Sequence, residues 1–139
     1  MAEKIELTIV APDKTLFKGV VEEIYAPGLL GEFGVLEGHS PFFCETDPGE
    51  VRYKAGGADK YVAVAEGFAE VAADKVTLLC EAAERPEDID IDLANQYLKK
   101  AEEKLSGMTL FDPEYRFREL RVKRARNRLN VAKRASARA

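Results

Sequence analysis

Residues 51–80 read VRYKAGGADKYVAVAEGFAEVAADKVTLLC. Four short apolar runs stand in this stretch: Val51-Arg52-Tyr53, Tyr61 to Val64, Phe68 to Val71 and Val76 to Cys80. Turn-forming residues such as Gly56-Gly57 and Ala73-Asp74 separate them. Runs of this length with no amphipathic helix between them read as successive β-strands. A parallel sheet needs a crossover helix between neighbouring strands, and the spacing leaves no room for one. The stretch therefore predicts a largely antiparallel sandwich or barrel.

The same texture extends upstream. Lys4-Ile5-Glu6-Leu7-Thr8-Ile9 alternates polar and apolar residues, which places Ile5, Leu7 and Ile9 on one face. Ala11-Pro12-Asp13 breaks that run. Leu16-Phe17, Val20 to Tyr25 and Phe33 to Leu36 follow, separated by Pro27-Gly28 and closed by Glu37-Gly38; Asp47-Pro48-Gly49 then precedes Val51.

Downstream the period changes after Glu84-Arg85-Pro86. Ile91, Ala94, Leu98, Ala101 and Leu105 recur at helical spacing, with Asp88 or Asp90 as N-cap and Ser106-Gly107 as the stop. Asp112-Pro113-Glu114 predicts a second helix: a cap, a proline at the first helical position and an acid in the first turn. Its apolar stripe, Tyr115, Val122, Ala125, Leu129 and Ala132, is thin. Two helices with one narrow apolar side each are unstable alone and predict an antiparallel hairpin, held loosely because alanines bury little area. The expected organisation is a β domain over residues 1–86 and a two-helix hairpin over 87–139.

The 139 residues are 46% hydrophobic, enough for a packed core. Two distant cysteines, Cys44 and Cys80, do not make a disulfide framework, and with one histidine they point away from a metal site and towards a reducing compartment. The charge-alternating start, Met1 to Glu6, has no apolar signal-peptide core, and no stretch approaches a membrane span. The expectation is a soluble protein that meets a membrane only through a partner. The net charge of −4 conceals an asymmetry: residues 1–113 carry 11 Lys+Arg against 23 Asp+Glu, whereas residues 114–139 carry 10 against 2. Such a chain folds back on itself or binds an acidic partner.

Catalytic signals are scarce. His39 and Ser40 are adjacent, so in extended chain their side chains point to opposite sides and form no relay. Gly31-Glu32-Phe33-Gly34 lacks the GK[ST] ending of a phosphate loop. The acidic run Glu87 to Asp92 lacks the central glycine and terminal glutamate of a calcium loop and reads as a solvated helix start. The basic stretch Arg116 to Arg138 has two uses, an acidic protein surface or a nucleic-acid backbone. The acidic body, which repels phosphate, favours the first.

The order of motifs resembles the epsilon subunit of bacterial F-type ATP synthases over nearly the whole chain. The carriers are Leu7 to Asp13, the loop Gly31-Glu32-Phe33-Gly34-Val35-Leu36-Glu37-Gly38-His39-Ser40-Pro41, Glu66 to Val71, Val76 to Leu79, Ala82 to Arg85 and Glu87 to Asp90. Glu37 stands where the family usually has proline. The resemblance implies a ten-stranded antiparallel β-sandwich followed by a helical hairpin, and a non-catalytic central-stalk role. In that role the chain couples proton translocation to ATP synthesis and inhibits ATP hydrolysis through its C-terminal helices. It also implies partners: the gamma subunit, the c-ring, and the alpha and beta subunits of the catalytic head, with no nucleic acid. The implied location is the cytoplasmic face of the bacterial inner membrane, peripherally, as part of the complex.

By position the resemblance assigns Glu32 and His39 to the loop that meets the ring and stalk foot. Arg116, Arg118, Arg121 and Arg126, with Arg124 and Arg128, offer cations to an acidic loop of the beta subunit. Some relatives bind ATP on the folded hairpin, and Glu84, Asp90, Ala94, Arg124 and Arg128 match that pattern. Leu93 stands where the nucleotide-binding pattern has arginine, so weak or absent ATP binding is expected, and no other cofactor.

Overall fold

The computed structural model describes residues 5–139. The alternation at the start becomes strand β1 (Ile5–Ala11), with Ile5, Leu7 and Ile9 at most 1% exposed. Lys4, with which that expected strand opens, and the rest of the first four residues lie outside the described ones. The chain continues through β2 (Lys14–Val21), β3 (Glu23–Gly28), β4 (Gly31–Val35), β5 (Phe42–Thr46), β6 (Gly49–Ala55), β7 (Ala58–Val64), β8 (Gly67–Val71), β9 (Lys75–Cys80) and β10 (Ala83–Glu84).

These strands form one bent sheet in the order β10-β7-β6-β3-β5-β8-β9-β1-β2, with β4 paired to β3 alone. The expected ten-stranded sandwich is present, and its pairs are antiparallel with one exception. Strand β1 runs parallel to β9, in register from Glu6 opposite Lys75 to Val10 opposite Leu79. Parallel neighbours need a long return connection. Here the seven intervening strands supply it, so no helix is required.

Inward-facing Leu7, Ile9, Ile24, Val35, Val51, Val62, Val76 and Leu78 make a single apolar interior. Burying each such side chain contributes about 1.5–3 kcal/mol. Phe17 of β2 packs on Tyr53 of β6 with ring centroids 4.5 Å apart, and the Arg85 guanidinium lies 5.6 Å from the Tyr53 ring. Gly67 begins β8 against β9 so closely that an added Cβ would fall 1.8 Å from the Leu79 carbonyl oxygen. That approach explains why Glu66-Gly67-Phe68 carries a glycine. Two strands differ from the sequence reading. Val20 to Tyr25 is not one run, because the chain leaves β2 at Val21 and re-enters β3 at Glu23. Phe42 to Thr46, which has no clean alternation, is a strand in which Phe43 faces outward, while Phe42, on the opposite face, meets the Phe33 ring edge-on at 5.3 Å.

The chain divides into two compact units, residues 1–85 and 86–139. In the second, a short turn at Pro86–Asp88 precedes helix α1 (Ile91–Leu105), and helix α2 (Tyr115–Arg138) returns alongside it. Asp90 is the cap: its Oδ1 accepts the Leu93 N–H at 3.1 Å. Along α1 the least exposed residues are Ile91, Ala94, Leu98, Ala101 and Leu105, the predicted stripe. Helix α2 buries Val122, Ala125, Leu129 and Ala132 of its predicted stripe, and also Val131, which lies outside it. After Ser106 the chain turns at Gly107, whose φ of 84° is a left-handed conformation that suits glycine.

The start of α2 departs from expectation. Asp112 does not cap the helix and Pro113 is not its first residue. The Asp112 carboxylate accepts the Glu114 N–H at 3.2 Å and its carbonyl accepts the Tyr115 N–H, which closes a separate turn. Helix α2 begins only at Tyr115, after Glu114, which makes no side-chain cap bond. The aspartate accepts from donors of this turn instead of from the first turn of the helix.

Candidate functional site

Two surfaces stand out, one on each unit. On the sandwich, Phe43 of β5 and Phe68 of β8 stack at 5.6 Å with their planes 21° apart. Phe68 sits directly opposite Leu79 of β9, which in turn neighbours Val10 of β1. Phe43, Phe68 and Leu79 are 62%, 44% and 47% exposed, so the sheet presents a row of large apolar side chains to water. Contiguous exposed apolar surface of this kind marks an interaction face. Sequence reasoning missed it, because the three residues lie on different strands and meet only once the register is known.

At one end of the same domain the β3–β4 hairpin turns through Leu29 and Leu30, both exposed, with Gly28 paired to Gly31. Glu32 follows on β4, exposed and opposite Pro27. The chain then makes a tight turn, Leu36-Glu37-Gly38-His39. The His39 N–H points to the Leu36 carbonyl at 3.4 Å and Gly38 takes φ 80°. Positive φ at the third turn residue is the signature of a type II turn. The His39 ring is half-buried. Its Nδ1 lies against the Leu36 carbonyl oxygen, and its Nε2 is 3.1 Å from the Ala72 carbonyl oxygen in the β8–β9 turn. Of the two residues expected on the partner loop, Glu32 is presented outward, while His39 ties that loop to its own domain.

On the hairpin unit, one face of α2 carries Arg118, Arg121, Arg124 and Arg128, and one face of α1 carries Tyr97, Lys100 and Lys104. Between them lies a cleft of about 540 Å³ with no Asp or Glu among its lining residues. Aromatic rings hold part of this charge: the Arg121 guanidinium lies 4.9 Å from the Phe117 ring, and that of Arg128 6.0 Å from the Tyr97 ring. Arg118 reaches Glu114 at 3.9 Å through Nη2, while its Nε is buried without a hydrogen-bond partner.

The structure sorts the predicted residues differently from the sequence. Arg118 and Arg121, expected at a partner surface, line the same cleft as Arg124 and Arg128, expected at a nucleotide. Arg116 is exposed and does not line it, and Arg126 faces Glu102 instead. Asp90 is engaged as the α1 cap, Ala94 is buried in the stripe, and Leu93 is half-exposed with no polar atom on its side chain. Glu84 belongs to β10 of the other unit, opposite Ala63. Tyr97, Lys100 and Lys104 were missed. Their spacing along α1 is the signal that would have found them, since it repeats the period of the α2 arginines.

Catalytic and metal chemistry find little footing. Among the described residues no three His, Cys, Asp or Glu side chains are grouped to hold a metal ion. Burial holds the Cys80 thiol up at about 12, with the Glu66 charge adding to the effect, and burial raises Cys44 as well. Neither is an activated nucleophile. No described helix is long and apolar enough to cross a membrane.

Comparison with known proteins joins these features. Residues 4–86 match the model of the ATP synthase delta/epsilon chain β-sandwich domain, and residues 87–133 that of the long α-helix domain. The ATP synthase epsilon chain of Geotalea uraniireducens is 43% identical over 98% of this chain and 99% of its own length. That of Geobacter metallireducens is 44% identical over 95% and 96%. A chain in a structure of the Euglena gracilis mitochondrial ATP synthase shares the fold at TM-score 0.76 and 23% identity, covering 96% of this chain and 81% of that one. One from the Tetrahymena thermophila enzyme does so at TM-score 0.62 and 13% identity, covering 96% of both. Two domain matches in order and near-complete coverage by relatives lead to one conclusion: the chain belongs to the delta/epsilon chain family of ATP synthase, as a non-catalytic subunit of the epsilon type.

Proposed function

We propose that the sandwich is an anchor in the central stalk and the hairpin a brake on ATP hydrolysis, in an enzyme that couples proton translocation to ATP synthesis. The row Phe43, Phe68 and Leu79 is the docking face for the gamma subunit. The β3–β4 end, with Leu29, Leu30 and Glu32, meets the polar loops of the c-ring. Aromatic anchors that lose water on docking supply most of the affinity of such contacts. The membrane is reached only through the complex, at the cytoplasmic face of the inner membrane.

The observation that carries the brake is the cationic cleft. Six Lys and Arg side chains face it from both helices, with no carboxylate among its lining residues. Like charges held this close repel, and carboxylates of a partner relieve that repulsion through charge-assisted, often bidentate bonds. The acidic partner is a loop of the beta subunit in the catalytic head, beside the alpha subunit. ATP itself is a poor ligand. Leu93 contributes no cation and the Asp90 carboxylate accepts the helix-cap hydrogen bond, so calorimetric titration of the isolated chain should give binding weaker than micromolar, and micromolar binding would contradict this.

The test uses the assembled enzyme. Replacing Phe43 and Phe68 by alanine should reduce co-purification of gamma while leaving the isolated chain folded. Replacing Arg118, Arg121, Arg124 and Arg128 by glutamine should raise ATP hydrolysis while leaving assembly intact. Unchanged hydrolysis in the second variant contradicts the brake, and unchanged co-purification in the first contradicts the docking face.

A further inference from the structure

His39 is bonded at both ends of its ring. Nδ1 faces the carbonyl oxygen of Leu36, in its own turn, and Nε2 faces that of Ala72, on the β8–β9 turn 33 residues away. Both partners are main-chain carbonyls, which only accept hydrogen bonds and do not titrate. A neutral imidazole carries one N–H and one lone pair; an imidazolium carries two N–H groups. The neutral ring can therefore satisfy only one of these carbonyls, and at the other it sets a lone pair against an oxygen. Only the protonated ring donates at both ends.

We infer that His39 is a proton-dependent strap: as imidazolium it pins the Leu36–Pro41 loop to the β8–β9 turn, and on losing its proton it keeps the donor at Nδ1, where the contact within its own turn is the closer, and releases the Ala72 carbonyl. The charged groups on the segments it joins are Glu37 in its own turn and Asp74 and Lys75 on the facing one, all exposed to solvent. Neither of the atoms that hold the ring belongs to them. Adjacent β5 and β8 add Glu45 and Glu70. The sign follows from the donor count. The loop is fastened while the ring carries both protons and loosens when it carries one. The inference rests only on the contacts of His39 and stands whether or not the loop docks on a c-ring.

Nuclear magnetic resonance of the isolated full chain tests it. Ring 15N shifts report the protonation state, and the amide nitrogens of Glu37 and Ala73 report on the two carbonyls that precede them. We expect both amides to move in one transition together with the ring. Exchange of the His39 amide should rise on the order of tenfold beyond its intrinsic pH dependence across that transition, as expected for losing a hydrogen bond to a charged donor. In His39→Gln, which offers a donor that does not titrate, both amide transitions should vanish. A ring that titrates while the Ala73 amide stays still overturns the strap, as does persistence of the transition in His39→Gln. The wild-type measurement decides the matter by itself should the variant fold poorly.

Discussion

Arg126 on α2 places its Nη2 3.4 Å from Oε2 of Glu102 on α1, a hydrogen-bonded ion pair that joins the two helices across the hairpin. Both side chains are about half exposed, so water and salt screen the attraction. A Glu102/Arg126 double-mutant cycle should give a coupling of only ~0.2–1 kcal/mol, and it should shrink in high salt. A coupling several times larger would mean a hairpin locked shut rather than one that can open.

Asp90 fixes where α1 begins. Asp90→Ala should cost about 1 kcal/mol of hairpin stability, measured by denaturant titration, while Asp90→Asn should be nearly silent. A loss in the alanine variant confined to nucleotide binding would instead assign the carboxylate to a ligand.

The turn at Leu36–His39 bears on a family departure. Proline is favoured at the second position of a type II turn, which Glu37 occupies. Glu37→Pro should therefore stabilise the domain by about 0.4–1 kcal/mol, mainly by restricting the unfolded chain. Gly38→Ala should destabilise it, because φ at that position is 80°. Thermal melts of the two variants should move in opposite directions.

Cys80 predicts a pH dependence. In the unfolded chain the thiol ionises near its ordinary value of 9.0, whereas in the fold burial and Glu66 hold it at about 12. Between those values the unfolded state has lost a proton that the folded state keeps. Stability is then fully present below pH 9.0 and falls as the pH rises towards about 12. Cys80→Ala should flatten that decline. An alkylating reagent at mildly alkaline pH should modify the half-buried Cys44 before Cys80, and both readily once the chain is denatured.

Much of this architecture is legible in the residues. Ile5, Leu7 and Ile9 alternate with charged or polar neighbours and point inward, and Ile91, Ala94, Leu98, Ala101 and Leu105 keep a helical period on their sheltered side. What escaped reading depends on pairing rather than pattern. The parallel ladder of β1 with β9 joins residues some seventy positions apart. Phe43, Phe68 and Leu79 form a patch only through strand register. Asp112-Pro113-Glu114 has the composition of a helix start, yet the aspartate closes a local turn first, and composition alone does not separate the two. The two faces of the basic cleft were each periodic, but their meeting follows from how α1 and α2 pack. His39, assigned by position to a partner loop, also meets the domain's own backbone through both ring nitrogens, and its contact with Ala72 spans 33 residues, which no local pattern shows.

The separability of anchor and arm is tested most directly by removing the arm. Delete residues 114–139, assemble the enzyme with the shortened chain, and measure ATP hydrolysis against the full-length complex. The account predicts normal assembly and raised hydrolysis. Hydrolysis unchanged in a fully assembled complex would contradict it.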